Sequence, residues 1–290
     1  MSSTAVLSMV ALLFTLFATE VQAAGGDQIQ PSASPSNNIM LASTIGPIDA
    51  GIAGALEEAF TKRTGIGVEH TGAGTGKAIQ MAETGKYDLL LVHAKALEEK
   101  FVADGFGTKR YDLMYNDFVI LGPASDPAKI RGMKDAAAAL KVISQAKASF
   151  VTRGDKSGTH VKEMEIWQKS GIEPRGAWYQ VFPEGAKGNV STLAFTDDKQ
   201  VYTVMDRATY ITMKAKITLQ ILVERDDILV NYMTLIPVNP AKFSQIHHKE
   251  AMQFVEWLQS RDAQIIIRDF GKDKYGEPLF FPNSPEGKKL

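Results

Sequence analysis

The chain has 290 residues, of which 44% are hydrophobic and 22% are charged, so it can form one large globular domain or two small ones. Its formal net charge is −1, and this balance argues against nucleic acid or an anionic membrane surface as the principal partner. The sequence contains no cysteine, which excludes disulfides, thiolate metal sites and a cysteine nucleophile.

The N-terminal segment 1–23 is predicted to be an export signal that is removed from the mature protein. Residues 5–17 form an apolar run too short to span a bilayer stably, and 21–23 (VQA) offer small residues at a cleavage site. The segment 1–4 lacks lysine and arginine, so an N-terminal anchor helix is the alternative. Residues 24–38, rich in Gly, Ser, Pro, Gln and Asn, are expected to be a disordered lead-in.

From residue 39 onward, short apolar runs alternate with segments whose apolar residues recur at helical spacing. The first three helices are each expected to end at a glycine, at Gly65, Gly85 and Gly105. Strands are predicted at 39–42, 68–70, 88–93 and 113–121, and helices at 48–60, 78–82 and 97–101. This alternation predicts a mostly parallel sheet with helices on both sides.

A break at 122–127 (GPASDP) separates this first alternation from a second one. The second alternation predicts helices at 133–143, 158–169 and 251–258, strands at 149–152, 201–205, 219–223 and 229–239, a loop at 185–188 and an extended tail at 276–282. Because both halves of the chain alternate in this way, each half is expected to build its own α/β unit.

The two alternations together predict an α/β fold of two lobes. The chain is expected to cross between the lobes near 120–124 and near 228–238. Lobe 1 is predicted to comprise 39–122 and 235–290, and lobe 2 to comprise 123–234. Such folds bind ligands between domains and at the carboxyl ends of parallel strands, so the turns that follow the strands are the candidate binding segments.

The first candidate turn follows the strand at 39–42 and contains Ser43 and Thr44, before Ile45 and Gly46. Hydroxyl and main-chain N–H groups in a strand-to-helix turn face a ligand bound at the end of the strand. Serine and threonine are also ordinary N-caps of helices, so a purely structural role is the alternative.

The second candidate turn, at 72–77 (GAGTGK), leads into a helix. It fails as a phosphate-binding P-loop, because Thr71 stands in place of the first glycine and Ala78 in place of the hydroxyl residue. This excludes a nucleotide site of that kind. A glycine-rich turn before a helix can still form a nest of N–H groups around an anion, and a tight turn without a ligand is the alternative.

The third candidate segment, at 150–160 (FVTRGDKSGTH), runs from an apolar strand into a new helix. Arg153 directly follows the strand, so its stem is expected to be buried and its guanidinium to point into a cleft. Ser157 and Gly158 open the helix, and the unpaired N–H groups of a helix N-terminus favour an anion. The alternative is a surface arginine paired with Asp155, followed by a capped helix.

The remaining polar residues offer little for catalysis. The histidines, at positions 70, 93, 160, 247 and 248, lack metal-ligand spacing, and the sequence has no Gly-x-Ser-x-Gly elbow. His93 ends an apolar strand, which is typical of a hydrogen-bonded core residue. Asp206 and Arg207 close another strand and are expected to form an internal ion pair that orients the cleft, with direct ligand contact as the minority interpretation.

Several motifs resemble the tungstate-binding proteins of bacterial ABC importers, over most of residues 39–283. These motifs are LAST at 41–44 with DAG at 49–51, GTGK at 74–77, LLVHA at 90–94, MYNDFV at 114–119, RGDKSGTH at 153–160, YTVMDR at 202–207 and GEPLF at 276–280. The resemblance implies a type II periplasmic-binding-protein fold whose lobes close on one oxyanion and deliver it to a membrane permease. It also implies a monomer without a cofactor or catalytic residues, located in the periplasm or secreted.

The family's ligand-binding residues fall on matching positions of this sequence, namely Ser43, Thr44, Thr75, Arg153, Ser157, Gly158 and Thr159. One departure concerns the first turn, which in the family is usually a run of threonine and serine. Ile45 and Gly46 take two of those positions here, so two hydroxyls are missing. Tungstate is the expected anion, with molybdate or a small carboxylate as alternatives. A site that offers only donors would discriminate against protonated phosphate.

Two other functions stay open at this point. An α/β enzyme acting on a phosphorylated or carboxylated small molecule would need a base near the turns, and His93 and Asp155 are the candidates. Loss of turnover in His93→Ala with binding retained would favour that enzyme. A sensor lobe for signalling would differ only in its partner, which the sequence does not show.

Overall fold

The computed structural model describes residues 38–290. The predicted export signal at 1–23 lies outside the described residues, as does the predicted lead-in at 24–38 except for Asn38. The strands of the described part are β1 (Ile39–Thr44), β2 (Val68–Ala73), β3 (Leu89–Val92), β4 (Tyr111–Gly122), β5 (Phe150–Thr152), β6 (Tyr179–Val181), β7 (Thr203–Asp206), β8 (Gln220–Val223), β9 (Val230–Pro237) and β10 (Phe281–Pro282).

The α-helices of the described part are α1 (Ile45–Asp49), α2 (Ile52–Thr64), α3 (Thr75–Ala82), α4 (Lys95–Ala103), α5 (Ala136–Ala146), α6 (Gly158–Ser170), α7 (Asn189–Lys199), α8 (Arg207–Met213), α9 (His248–Gln259), α10 (Arg261–Asp269) and α11 (Lys272–Tyr275). Short 3-10 turns lie at Gly185–Lys187, Asp227–Leu229 and Gly287–Lys289. The helix predicted at 48–60 is in fact two helices, α1 and α2. Gly51 lies between the two helices and separates them, because it adopts a left-handed conformation with φ of +86°.

The first sheet has the strand order β10-β4-β9-β3-β1-β2, and we call the part of the protein built on it the first lobe. Strand β1 pairs in parallel with β2 and with β3, as the alternation predicts. Strand β9 runs antiparallel to both of its neighbours, β3 and β4, so the prediction of a mostly parallel sheet is wrong on this side. The cause is connectivity, because β9 returns from the second half of the chain and fills the place between β3 and β4.

Strand β4 is shared between two sets of partners. Its first part, through Asp117, pairs with β9, and its second part, from Phe118 onward, pairs with β7 and β8. We call the part built on β5 to β8 and the end of β4 the second lobe. The chain therefore enters the second lobe at 117–118 and returns where β9 begins at Val230, close to the predicted crossovers. The lobe boundaries at 122/123 and 234/235 stay a prediction.

Each lobe has its own core. In the first lobe, α2 and α9 pack together through Phe60 and Phe254, whose ring centroids are 4.7 Å apart. In the second lobe, the fully buried Trp167 of α6 meets Phe150 edge-on at 5.4 Å. Complete burial of side chains this large contributes about 2–3 kcal/mol each, so both cores favour a fixed arrangement of the strand ends.

The sequence pattern did not predict β6, α7, α8, α10 and α11. Two of these helices matter for the cavity described below, since α7 begins at Asn189 and α8 begins directly after Asp206. Helix α8 is too short to show a clear apolar period. Helix α7 carries threonines among its buried positions, so hydrophobic periodicity marks it weakly.

A buried carboxyl group lies in the second-lobe core. Glu163 of α6 is 1% exposed, and its Oε1 accepts hydrogen bonds from Trp167 Nε1 at 3.0 Å and from the Tyr179 hydroxyl at 2.7 Å. Burial raises the pKa of Glu163 to about 7, although these hydrogen bonds oppose the shift. The unfolded chain therefore releases this proton at lower pH than the folded protein, and stability falls as the pH rises from about 4.5 to about 7.

We expect Glu163→Gln to stabilise the protein at pH 8 by up to about 3 kcal/mol, with little effect at pH 4.5. The amide oxygen can still accept from Trp167 and Tyr179, and no charge has to be buried. Urea denaturation at both pH values measures the difference. Glu165→Gln on the exposed side of α6 is the control and should show no pH-dependent gain. Equal effects of Glu163→Gln at both pH values would contradict the assignment.

Candidate functional site

A cavity of about 260 Å³ lies between the two lobes. Its wall combines residues of both lobes with the two strands that connect them. The polar and charged members of this wall are Thr44, Asp49, Thr75, His93, Asn116, Arg153, Ser157, Thr159, Lys187, Asn189, Asp206, Thr209, Thr212 and Asn231. Within residues 38–290 no group of histidine and carboxylate side chains is arranged to hold a metal ion. None of the helices in that range is long and apolar enough to cross a membrane.

Three helices of eight or more residues begin at the cavity wall. They are α3 from the first lobe and α6 and α7 from the second. The N-caps of α3 and α7 are Gly74 and Gly188, and neither cap provides a side-chain hydrogen bond to the helix. The first N–H groups of each helix lack intrahelical partners and carry partial positive charge. The wall therefore favours a negatively charged group in the cavity.

The two hydroxyl side chains of the first candidate turn point in different directions, because both residues belong to β1. The Thr44 hydroxyl lies at the wall, is buried, and has no hydrogen-bond partner among the described residues. Ser43 lies behind the wall, and its hydroxyl donates to the Thr44 carbonyl at 3.0 Å. Successive side chains of a strand point to opposite faces, so both hydroxyls cannot face the same cavity. Of the predicted pair, only Thr44 has a side chain at the wall.

The second candidate turn brings Thr75 to the wall at the start of α3. Its Oγ1 lies 3.3 Å from Nε2 of His93. Burial lowers the pKa of His93 to about 4, the positive charge of Lys162 lowers it further, and a hydrogen bond with Asn231 opposes both effects. His93 is therefore neutral at pH 7 and contributes a dipole to the wall, without a charge.

Gly158, the first residue of α6, packs against His93 across the two lobes. A Cβ at Gly158 would lie 2.7 Å from Nε2 of His93 and closer still to Cε1. The lobes approach each other here as closely as a glycine backbone permits. Ser157, the residue before it, caps α6 by accepting from the His160 N–H, and Thr159 follows at the wall.

Arg153 lies at the end of β5 with its side chain 10% exposed, so it is not the surface arginine of the alternative interpretation. Its Nη1 donates to Asn189 Oδ1, and its Nη2 donates to Asp155 Oδ2 at 2.6 Å and to the Gly185 carbonyl at 3.2 Å. Its Nε is buried and has no partner among the described residues. The pairing with Asp155 exists, and the Nε–H and one Nη1–H of the guanidinium have no partner among the described residues.

Asp155 holds the arginine from outside the cavity wall. Burial alone would raise the pKa of Asp155, but hydrogen bonds from Ser157 and the Arg153 charge hold it below its ordinary value. The carboxylate is thus ionised and occupied by its donors. Neither residue suggested as a catalytic base is suited to that task, because His93 is a weak base and Asp155 does not line the cavity.

The sequence pattern did not indicate Asn189, one of several wall residues outside the predicted set, and it placed Asp206 in an ion pair with Arg207. Asn189 Nδ2 donates to Asp206 Oδ2, and Asp206 also accepts from the Thr209 N–H at 2.8 Å and from its hydroxyl at 2.6 Å. The predicted ion pair between Asp206 and Arg207 is wrong, since Arg207 pairs instead with Asp117 at 2.6 Å. Asp206 caps α8, which turns Arg207 away. The Asp-x-x-Thr spacing at 206–209 was the sequence pattern that could have indicated this cap.

Two carboxylates at the wall change the expected electrostatics. Burial raises the pKa of Asp206, and the hydrogen bonds from Thr209 and Asn189 oppose the shift. Burial also raises the pKa of Asp49, against the effect of the Arg153 charge. The expectation of a wall made only of donors is therefore wrong, because Asp49 and Asp206 add acceptors.

The fold and the cavity define a class. Two α/β lobes joined by two strands, with a cavity of anion-binding character between them, are the features of a solute-binding protein. The sequence matches the family described as "PBP superfamily domain" over residues 22–262.

Named relatives narrow the class. The chain is 46% identical over 249 residues to the tungstate-binding protein TupA of Peptoclostridium acidaminophilum, covering 85% of this chain and 86% of that protein. The solved structure of TupA from Desulfovibrio alaskensis G20 has a TM-score of 0.77 and 44% identity, over 86% of this chain and 100% of that one. That of the tungstate ABC transporter from Geobacter sulfurreducens has a TM-score of 0.71 and 39% identity, over 80% and 98%. The chain belongs to the PBP superfamily and, within it, to the family of the tungstate-binding proteins TupA.

Proposed function

We propose that the protein captures tungstate between its two lobes and delivers it to the membrane permease of an ABC importer. The observation that carries this proposal is a pair of buried, unpaired donors on opposite lobes at one cavity. These donors are Oγ1 of Thr44 and Nε of Arg153, neither of which has a partner within residues 38–290. A buried polar group without a partner costs roughly 1–3 kcal/mol, and an oxyanion that accepts from both removes that cost.

The residues proposed to contact the anion come from both lobes. Thr44 and Thr75 would act from the first lobe, and Arg153, Gly158 and Thr159 from the second, through side chains and main-chain N–H groups. Ser157 would supply the cap that holds the start of α6, since its own main-chain N–H donates to Asp155 Oδ1 at 3.1 Å. Ser43 would support Thr44 from behind the wall.

The charge at the site indicates how the anion is held. The positive charge of Arg153 is largely balanced by Asp155, so the helix N-termini and hydroxyls carry much of the attraction. Charge-assisted hydrogen bonds contribute roughly 1.5–3 kcal/mol each, so a handful can support sub-micromolar affinity after desolvation and ordering costs. Because the donors lie on both lobes, the anion favours the arrangement in which the lobes meet, and binding stabilises closure.

The function proposed is binding and delivery, without a chemical step on the ligand. The family supports this, and so does the neutral, weakly basic His93 at the wall. Delivery to a permease places the protein outside the cytoplasm, in the periplasm or secreted. This location agrees with the predicted export signal at 1–23.

Calorimetric titration of the purified protein with tungstate, molybdate, sulfate, phosphate and acetate tests the proposal. We expect sub-micromolar binding of tungstate at one site per chain and weaker binding of the other four anions. Tighter binding of molybdate or of the carboxylate would replace tungstate by that anion. An absence of binding to all five anions by a protein whose circular dichroism shows a folded state would overturn the proposal.

A further inference from the structure

We propose that Asn189 is a positioning residue of the anion site. Its amide orients the Arg153 guanidinium, and Asp206 in turn fixes the orientation of the Asn189 amide. This inference deepens the proposed function and depends on it for its binding readouts. Asn189 lies at the start of α7, a helix that the sequence pattern did not predict. It connects the end of β5, the start of α6 and the start of α8.

The guanidinium needs such a partner because both of its Nη atoms donate hydrogen bonds to protein groups. Arginine usually binds an oxyanion through two parallel N–H groups. Here Nη1 donates to Asn189, and Nη2 donates to Asp155 and to the Gly185 carbonyl. Of its five N–H groups, the Nε–H and one Nη1–H have no partner among the described residues. The direction of these N–H groups depends on the groups that hold the fork, and Asn189 is the only one of them that lines the cavity within the described residues.

The orientation of the Asn189 amide follows from its partners. A guanidinium only donates hydrogen bonds, so the oxygen of the amide must face Arg153, and its nitrogen donates to Asp206. Asp206 is itself fixed by two hydrogen bonds from Thr209, at 2.8 and 2.6 Å. A chain of defined polarity therefore runs from the start of α8 through Asp206 and Asn189 to Arg153.

The same amide oxygen also determines what Thr159 can offer. The Thr159 hydroxyl donates to Asn189 Oδ1 at 3.0 Å, so its only proton is used inside the protein. The main-chain N–H of Thr159 is left for the anion. Asn189 thus gathers two donors that would otherwise point in undefined directions, and it does so without adding negative charge beside an anion.

The charged groups near Asn189 define a sharp test. The titratable groups around it are Arg153 and Asp155 beyond β5, His160 on α6, Asp206 before α8, Asp49 on α1 and Lys187 before α7. Replacing the amide by a carboxylate in Asn189→Asp would set two carboxylates against each other at hydrogen-bond distance. The pair must then share a proton, which is lost as the pH rises.

We expect Asn189→Ala to weaken tungstate binding about 10-fold. Asn189→Asp should also weaken tungstate binding, and the loss should grow with pH. Between pH 6 and pH 9, the tungstate affinity of this variant should fall at least about 10-fold further than that of the natural protein. The double variant Asn189→Asp with Asp206→Asn exchanges amide and carboxylate and should remove that additional pH dependence and recover most of the affinity. Asn239→Ala, a half-buried asparagine that donates to Gly105 away from the cavity, is the control and should bind normally.

A readout without any anion separates this inference from the proposed function. Side-chain NMR of the Arg153 guanidinium, assigned with Arg153→Lys, reports the rotation of its fork in the free protein. We expect slow rotation in the natural protein and in Asn239→Ala, and faster rotation in Asn189→Ala. If the natural protein binds no anion, the proposed function fails while this measurement still decides the positioning role. Unchanged rotation in Asn189→Ala, or a pH profile of Asn189→Asp like that of the natural protein, would overturn the inference.

Discussion

Replacing Arg153 by alanine is expected to weaken tungstate binding by at least about 100-fold. The change removes a buried, unpaired Nε donor and the only guanidinium on the cavity wall within residues 38–290. It also leaves the Asn189 oxygen without one of its donors and the Asp155 carboxylate without its cation. Titration calorimetry of the variant against tungstate measures the loss.

Arg153→Lys separates charge from geometry. Lysine keeps the positive charge but cannot reach Asn189, Asp155 and Gly185 together while also offering a donor at the Nε position. We therefore expect a loss of more than about 10-fold in this variant as well. Arg110→Lys is the matched control, since Arg110 forms a partly buried pair with Glu98 at 2.7 Å and does not line the cavity. Near-normal affinity of Arg153→Ala would exclude the arginine from the site.

The sequence predicted that the stem of Arg153 is buried, and the structure confirms this burial. An arginine directly after an apolar strand buries its stem, and Arg153 is indeed mostly buried at the end of β5. The groups that hold its fork could not be predicted, because Gly185 and Asn189 lie 32 and 36 residues further along the chain. Contacts over such separations depend on how the lobe folds back, which a local pattern does not encode.

The side chains of the first candidate turn follow the alternation of a β-strand. The strand was expected to end at residue 42, but β1 continues through Thr44. In a strand, neighbouring side chains alternate between faces, so Ser43 and Thr44 could not both face the cavity. The prediction of two hydroxyl ligands followed from treating the pair as a turn. The family resemblance gave the same prediction, because it transfers residue types and not the directions of their side chains.

The two-lobe fold was predictable because each half of the chain alternates between strands and helices. The direction of β9 was not, since the apolar pattern of a strand at 229–239 does not indicate whether it pairs in parallel or antiparallel. It runs antiparallel to β3 and β4 because it enters the first sheet from the other lobe. Two polar residues of the connecting strands, Asn116 and Asn231, meet at the cavity for the same reason, at 2.8 Å.

Gly158→Ala is expected to weaken tungstate binding by about 30-fold, which corresponds to roughly 2 kcal/mol. Alanine is a better helix former than glycine, and Gly158 does not have a positive φ, so α6 itself should tolerate the change. The new methyl group would collide with the His93 ring across the lobes and hold them apart. Donors of both lobes could then no longer reach one anion together, and calorimetric titration would show the loss.

The double variant Gly158→Ala with His93→Ala tests whether that collision is the cause. Removing the imidazole makes room for the methyl group, so the double variant should bind tungstate more tightly than Gly158→Ala alone. Gly76→Ala is the matched control, because it makes the same change at the start of α3, where a Cβ meets no atom within 4 Å. Equal losses at Gly76 and Gly158, or no recovery in the double variant, would mean that the close approach of the lobes at His93 does not govern binding. Recovery would place the contact between the lobes, together with the donors themselves, among the determinants of affinity.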